Sequence, residues 1–354
     1  MKKRIISIVG ARPQFIKCAP LSRELRKTQD EILVHTGQHY DREMSATFFN
    51  ELGIPEPDYN LGIGSDNHGA QTGKMLIEIE RLLLKERPDM VIVYGDTNST
   101  LAGAVAAAKL HIPVAHVEAG LRSFDKLMPE ELNRILTDHS SDLLLCPTQT
   151  AVDNLSKEGI TNHVYLVGDV MVDAIEYNHK IAETESKILE KLDLNSKNYL
   201  VITMHRPSNT DNQENLKSVI DALGICQDTV VFPVHPRTEK CLRNAGLWEN
   251  IPENVRVIKP IGYLDMIRLL KNAKKLLTDS GGMQKEAYVL GVPCITLREN
   301  TEWVETLRVG WNVLVGADKV KIIDAVRKFN PTGEQREIFK RNASKKIREI
   351  IEAY

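Results

Sequence analysis

Three carboxylates in this chain have the type and setting for proton chemistry. They are Asp96 in Gly95-Asp96-Thr97, Glu118 in Glu118-Ala119-Gly120, and Glu130 in Pro129-Glu130-Glu131. If Glu130 enters a cleft holding Asp96 and Glu118, like-charge repulsion raises at least one pKa. A carboxyl group so raised suits proton transfer near neutral pH. Glu131 need not share that role, because successive helical residues point about 100° apart. A proline followed by two acids is also an ordinary helix start. A second set of residues could hold an anion. Ser280-Gly281-Gly282 follows the apolar run Lys275-Leu276-Leu277 and turns into a helix near Met283. A helix N-terminus offers unpaired N–H groups and partial positive charge. Gly281 and Gly282 let an anion approach the backbone with no Cβ in the way. Glu286, one turn further in, is placed where a carboxylate could hold ribose hydroxyls. An ordinary glycine-rich turn between strand and helix would look the same.

These residues depend on the elements that carry them. Short apolar runs, read as buried strands, occur at Ile5 to Val9, Ile32 to His35, Asp89 to Tyr94, Val114 to Val117, Leu143 to Cys146 and Val164 to Val167. Helical patterns lie between them, at Phe15 to Lys27, Arg42 to Leu52, Asp66 to Lys85, Ser99 to Lys109 and Thr148 to Gly159. Asp173 to Leu194 reads as a long charged helix leading to a second series. Its strands are Leu200 to Thr203, Val230 to Val234, Val255 to Ile258, Leu276 to Thr278 and Cys294 to Leu297, and Glu334 to Tyr354 reads as a last helix. Strand–helix alternation implies parallel, doubly wound sheets. The expected fold is α/β, with two doubly wound domains facing each other across a cleft. The first spans 1–170 and is joined by the last helix, 335–354; the second spans 171–334.

In open α/β sheets ligands bind beyond the carboxyl ends of the strands. The unusual polar residues fall there: Arg12, Gln38 and His39, Asp96, Glu118, His205 and Arg206, His235 and Arg237, and Asp279 and Ser280. Singly each has a plainer reading. Asp96 and Ser280 fit helix caps, His235 a loop, Arg12 a surface cation, and Glu118 a solvated carboxylate. Their joint placement points to a site.

Composition narrows the function. The 354 residues suit about two domains. A net charge of −2 without a basic block gives no footing for nucleic acid. The five cysteines form no CxxC pair and are odd in number, which suits a reducing cytoplasm and no structural metal. The opening MKKRIISIVGARPQF reads as a first strand, not a leader, and no stretch is long enough to span a membrane. The first turn, GARPQF, is not GxGxxG, and neither a Walker lysine loop nor HExxH occurs. The expectation is a site without cofactor or metal that holds an anionic ligand.

The motifs resemble those of the non-hydrolysing UDP-N-acetylglucosamine 2-epimerases. They run in order along nearly the whole chain: Gly10-Ala11-Arg12-Pro13 with Lys17, Thr36-Gly37-Gln38-His39, Gly95-Asp96-Thr97, His116-Val117-Glu118-Ala119-Gly120-Leu121-Arg122, Pro129-Glu130-Glu131 with Asn133-Arg134, His205-Arg206, His235-Pro236, Thr278-Asp279-Ser280-Gly281-Gly282 and Thr301-Glu302. The resemblance implies a glycosyltransferase-B fold, a cytoplasmic homodimer, and inversion at C2 of a UDP-linked 2-acetamido sugar through UDP elimination and re-addition. It makes Asp96, Glu118 and Glu130 the proton-handling carboxylates and His205 the histidine on the phosphate side. Arg12, Lys17, Gln38, His39, Arg134, Arg206, His235 and the Ser280-Gly281-Gly282 turn become substrate contacts. Glu286 would hold the ribose, and the Tyr263 loop would lie near the uracil. A closing hinge is expected around Gly168 to Asn178.

Departures from the commonest family pattern are Gln14 for Glu, Lys285 for Glu, Gly168-Asp169 for Gly-Asn, and Thr301-Glu302-Trp303-Val304-Glu305 for Thr-Glu-Arg-Pro-Glu. These resemble the branch acting on UDP-2,3-diacetamido-2,3-dideoxy-glucuronate, whose extra carboxylate would suit Lys285 near the sugar or diphosphate. A solvent-facing Lys285 is the alternative. Tyr40-Asp41-Arg42-Glu43-Met44-Ser45 lacks the glutamine-bearing continuation that binds an activating second UDP-GlcNAc, so no such activation is expected.

Overall fold

Buried apolar runs make the strands, and each strand pairs in parallel with its neighbours. The computed structural model describes residues 2–37, 53–54, 56–331, 333 and 335–354. Gln38, His39, the helix expected at Arg42 to Leu52 and the segment Tyr40 to Ser45 lie outside them. The chain divides into two compact units, Met1–Ala174 with Phe339–Tyr354, and Ile175–Ile338.

In the first unit seven strands form one sheet: β1 Arg4–Val9, β2 Asp30–His35, β3 Tyr59–Asn60, β4 Met90–Tyr94, β5 Val114–Val117, β6 Leu143–Cys146 and β7 Val164–Leu166. Their spatial order is β3-β2-β1-β4-β5-β6-β7. Winding therefore reverses between β1 and β4, where Ile5 to Ile8 align with Met90 to Val93. β1, β4, β5 and β6 are buried on both faces, as parallel sheets covered by helices require. The alanine-rich helix Asn98–Lys109 lies close on this sheet. A Cβ on its Gly103 would come within 2.9 Å of Ile8 and 3.0 Å of Val93, so the small side chain sets the approach.

The second unit repeats the plan with six strands: β8 Tyr199–Thr203, β9 Thr229–Pro233, β10 Val255–Ile258, β11 Lys275–Thr278, β12 Cys294–Thr296 and β13 Asn312–Leu314. Their order is β10-β9-β8-β11-β12-β13, reversing between β8 and β11. Helices Gln213–Ile225 and Lys319–Lys328 pack on its core through Leu216, Val219, Leu223, Ile322 and Val326.

Several boundaries differ from expectation. The two-residue β3 and the three-residue β13 are too short to carry a periodic signal. The stretch expected as one helix from Asp173 to Leu194 is Val170–Glu185 followed by Ile188–Lys191. At the break, the Ser186 hydroxyl donates to Asp265 and accepts from the Ile188 N–H. The last helix is Ala343–Ala353 alone. Asn342, in the left-handed region at φ 58°, stands immediately before it.

That last helix is tied to the first unit. Asp173 accepts from the Asn342 N–H at 2.8 Å, the Ser344 N–H at 2.8 Å and the Ser344 hydroxyl at 2.7 Å, so it caps the helix from outside. Arg348 pairs with Glu24 at 3.0 Å, and Lys3 donates to the Ile351 carbonyl. Asp173→Ala should cost about 1–2 kcal/mol, the range of a lost helix cap. It should lower the urea midpoint and speed amide exchange in residues 343–353. Unchanged exchange there would show that Asp173 does not anchor the helix.

Candidate active site

The two reversals of winding create the places where backbone groups leave the sheet without a partner. At the β1/β4 reversal the side chain of Gln14 spans the gap. Its Oε1 accepts from the Gly10 N–H at 2.8 Å and the Ala11 N–H at 3.0 Å. Its Nε2 donates to the Tyr94 carbonyl at 2.9 Å and to the Thr100 hydroxyl at 3.0 Å. Arg12 begins the helix Arg12–Leu25 directly after this turn.

Beyond β4, Gly95 adopts φ 64°, a left-handed turn that glycine enters without cost. A Cβ there would sit 2.8 Å from Lys17 Nζ and 3.3 Å from Glu118 Oε2. Lys17 and Glu118 are both buried and bonded to each other. Glu118 also has positive φ, 75°, which turns its side chain off the end of β5. Asp96, half-buried, accepts from Arg134 Nη2 at 2.6 Å, and Asn133 donates to the Asp96 carbonyl at 2.9 Å. Asp96, Glu118, Lys17 and Arg134 thus gather around Gly95.

The adjacent acids of the helix Pro129–His139 have separate fates. Glu131 is buried and accepts from the Ser123 N–H, the Ser123 hydroxyl and the Phe124 N–H, each at 2.9 Å, and from Arg134 at 2.8 Å. It fixes the 122–124 loop. Glu130 remains half-buried in the first turn. Lys17 and Arg134, expected as substrate cations, are each engaged with a candidate proton-handling carboxylate.

At the β8/β11 reversal the bridging group is Asp279, whose side chain is wholly buried. It accepts from the His205 N–H at 3.1 Å, the Arg206 N–H at 3.0 Å and Asn209 Nδ2 at 3.1 Å. His205 Nδ1 lies 3.4 Å from the same carboxylate, while the ring is 46% exposed and so open to a ligand. Ser280 is the N-cap of the helix Gly281–Val289, accepting from the Met283 N–H at 3.4 Å. The cap reading therefore holds for Ser280, while Gly281 and Gly282 stay half-exposed at the helix start. Cβ atoms would meet Glu302 and Trp303 at 3.4–3.5 Å from Gly281, and little from Gly282.

Other expectations shift. His235 is exposed, and its Nδ1 accepts from the Arg237 N–H at 3.2 Å, capping the helix Pro236–Asn244. Arg237 itself makes two bonds to Asp211. Tyr263 is buried as the first residue of the helix Tyr263–Lys271. Glu286 is buried as well. Lys285 is 1% exposed, which removes the solvent-facing alternative, and its Nζ lies 4.2 Å from the Trp303 ring centroid. Cation–π contact explains a buried ammonium on an aromatic face. Glu302 takes two bonds of 3.0 Å from Arg298, which fixes the loop that presents Trp303.

Sequence reasoning does not single out Asp138, and it names Gln14, His116, Glu131 and Asp279 without the organising bonds they make. A polar residue inside or just after an apolar strand is the available signal for His116 and Asp279, whereas Gln14, Glu131 and Asp138 lie in helices and carry none. Among the described residues no group of three or more His, Cys, Asp or Glu side chains could hold a metal, and no helix is long and apolar enough to cross a membrane.

Comparison with known proteins adds an independent line. Residues 23–352 match the family model described as UDP-N-acetylglucosamine 2-epimerase. A UDP-N-acetylglucosamine 2-epimerase homolog of Methanococcus maripaludis is 56% identical over 98% of this chain and 99% of its own. The UDP-2,3-diacetamido-2,3-dideoxy-D-glucuronate 2-epimerase of Pseudomonas aeruginosa is 49% identical over 92% of this chain and 91% of its own. The Methanocaldococcus jannaschii UDP-GlcNAc 2-epimerase, solved with UDP-GlcNAc and UDP, aligns with TM-score 0.93 and 47% identity over the whole of both chains. With its strand order, its exit motifs and these matches in agreement, the chain belongs to the UDP-N-acetylglucosamine 2-epimerase family.

Proposed function

We propose that this protein interconverts the C2 epimers of a UDP-linked N-acetylhexosamine, with UDP-GlcNAc and UDP-ManNAc as the default pair. The supporting observation is the cluster around Gly95. Two carboxylates at adjacent strand exits are each oriented by a buried cation, Asp96 by Arg134 and Glu118 by Lys17. In the reaction a base takes the C2 proton as the C1–oxygen bond breaks. UDP leaves with the bonding pair and a 2-acetamidoglucal remains. UDP oxygen then re-adds at C1 while an acid returns a proton to the other face of C2. Removal and return on two faces need more than one acid–base group, and Asp96, Glu118 and Glu130 are the candidates. The leaving diphosphate needs positive potential. His205, Arg206, Arg12 and the Ser280-Gly281-Gly282 helix start are the candidates for that, with Glu286 for the ribose.

The first test is a proton NMR time course with UDP-GlcNAc in D2O, run with wild type and Asp96→Asn. Wild type should form UDP-ManNAc carrying deuterium at C2. The variant should lose about 10²–10⁴-fold in turnover, the range for a general acid or base, while still binding UDP. No deuterium at C2 with wild type, or full turnover by the variant, would count against the reading.

A second substrate is favoured by Lys285 and by the Pseudomonas aeruginosa relative. UDP-2,3-diacetamido-2,3-dideoxy-glucuronate carries an added carboxylate, and a charge-assisted contact to a buried lysine is worth about 1.5–3 kcal/mol. Lys285→Met should lower kcat/KM on that nucleotide by about tenfold to a hundredfold more than on UDP-GlcNAc. Equal losses on both would assign Lys285 to the shared part of the substrate or to packing.

We also infer a homodimer. Leu127 is 93% exposed and Phe124 76%, and Leu132 and Leu136 stand half-exposed one helical turn apart beyond them. Four exposed large apolar side chains within one short stretch of chain are the observation behind this reading. Light scattering should give twice the 39.9 kDa chain mass; a single-chain mass at micromolar concentration would exclude it.

A further inference from the structure

His116 lies inside β5 with no exposed surface, and the proposed chemistry gives it no part. Its Nε2 is 2.8 Å from the Gly95 carbonyl, and its Nδ1 is 2.7 Å from Asp138 Oδ1. A carbonyl only accepts, so Nε2 carries a hydrogen. Asp138 is placed to be ionised. Its Oδ2 accepts from Arg122 Nη1 at 2.7 Å and from the Gly120 N–H at 3.1 Å. Burial pushes this carboxyl up, and the Arg122 guanidinium pulls it down. A carboxylate only accepts, so Nδ1 carries a hydrogen too.

The surroundings support that count. Arg122 makes a second, two-pronged pair with Glu158 at 2.7 and 2.8 Å, and His139 lies 3.4 Å from Glu158. Cys146 on the neighbouring strand has its thiol pushed up, first by burial and then by Asp138, so it stays neutral. A neutral His116 would turn the bare lone pair of one ring nitrogen toward an acceptor, the Asp138 carboxylate or the Gly95 carbonyl, a costly arrangement inside the sheet.

We propose that His116 is a positioning residue: a buried imidazolium that clamps the Gly95 carbonyl and so fixes the Asp96 turn against Glu118. The geometry supports the coupling from both sides. Gly95 faces the Lys17–Glu118 pair on its Cα side, and its carbonyl is held by a ring on β5, two residues before Glu118 at the strand's exit. One charged ring therefore sets the spacing between the two carboxylates. The kinetic consequence rests on the epimerase reading, whereas the state of the ring does not.

Histidine-labelled wild-type protein should show, in long-range proton–nitrogen spectra at neutral pH, one ring with both nitrogens protonated, as two acceptors on its two nitrogens require. Its signals should vanish in His116→Gln. A His116 ring with one bare nitrogen overturns the proposal. In the folded variant kcat should fall about 100-fold, as for a small misplacement of reacting groups, while KM and UDP affinity stay within roughly threefold. Asp138→Asn should render the ring neutral and lower kcat in the same way, and it carries the kinetic arm if His116→Gln does not fold. Wild-type kcat in either folded variant overturns the positioning role. An imidazolium spectrum from a wild-type protein with no epimerase turnover would support the clamp and overturn the epimerase reading instead.

Discussion

Both sheets face one constraint where their winding reverses. Neighbouring strands there exit toward opposite sides, so the backbone N–H and C=O groups past the strand ends lose their ladder partners. A buried group left in that state costs about 1–3 kcal/mol. In each unit one side chain resolves it. Gln14 joins Gly10 and Ala11 to Tyr94, and Asp279 joins His205 and Arg206 to Asn209. The choice of side chain follows from the groups to be joined. The first reversal presents two donors, the Gly10 and Ala11 N–H groups, and two acceptors, the Tyr94 carbonyl and the Thr100 hydroxyl, so an amide that both accepts and donates fits. A glutamate there would need a proton to meet the carbonyl. The second presents three donors, so a carboxylate fits.

Around these ties the first unit spends buried charge on orientation. A buried ion pair is weak evidence for stability, because desolvation offsets much of its attraction. Lys17 on Glu118 and Arg134 between Asp96 and Glu131 are better explained as restraints on carboxylate direction. Glu131 shows the alternative fate of an acid beside Glu130. With three N–H or O–H donors and an arginine around it, it holds a loop and has little capacity left for proton transfer.

The strand exits were legible because two signals coincide there: an apolar run stops, and a glycine or polar turn begins. That is why Asp96, Glu118, His205 and Ser280 were found at the ends of β4, β5, β8 and β11. What a side chain meets across the fold leaves no such mark. His116 and Asp138 are 22 positions apart, and nothing local announces their bond. Lys285 carries a charge that suggests solvent, yet the packing of Trp303 overrides the type. Tyr263 sits after a glycine, as a loop residue would, yet begins a helix and is buried. Residues 335–341 have helical composition and so extend the last helix on paper, whereas the left-handed Asn342 and the Asp173 cap define its start in the fold.

The two units share a topology and differ in what they place at equivalent positions. Past the strand beyond the reversal, the first unit sets Asp96 and, one strand further, Glu118. Past β11, the second sets a buried Asp279 and then a helix start with two glycines. An acid in the first case is half-buried and held by a cation. In the second it is saturated by backbone donors and leaves the neighbouring N–H groups to dominate the local field. The same residue type at the same kind of strand exit thus yields a candidate proton carrier in one sheet and scaffolding for a candidate anion site in the other. The number of donors already committed to the carboxylate decides between them.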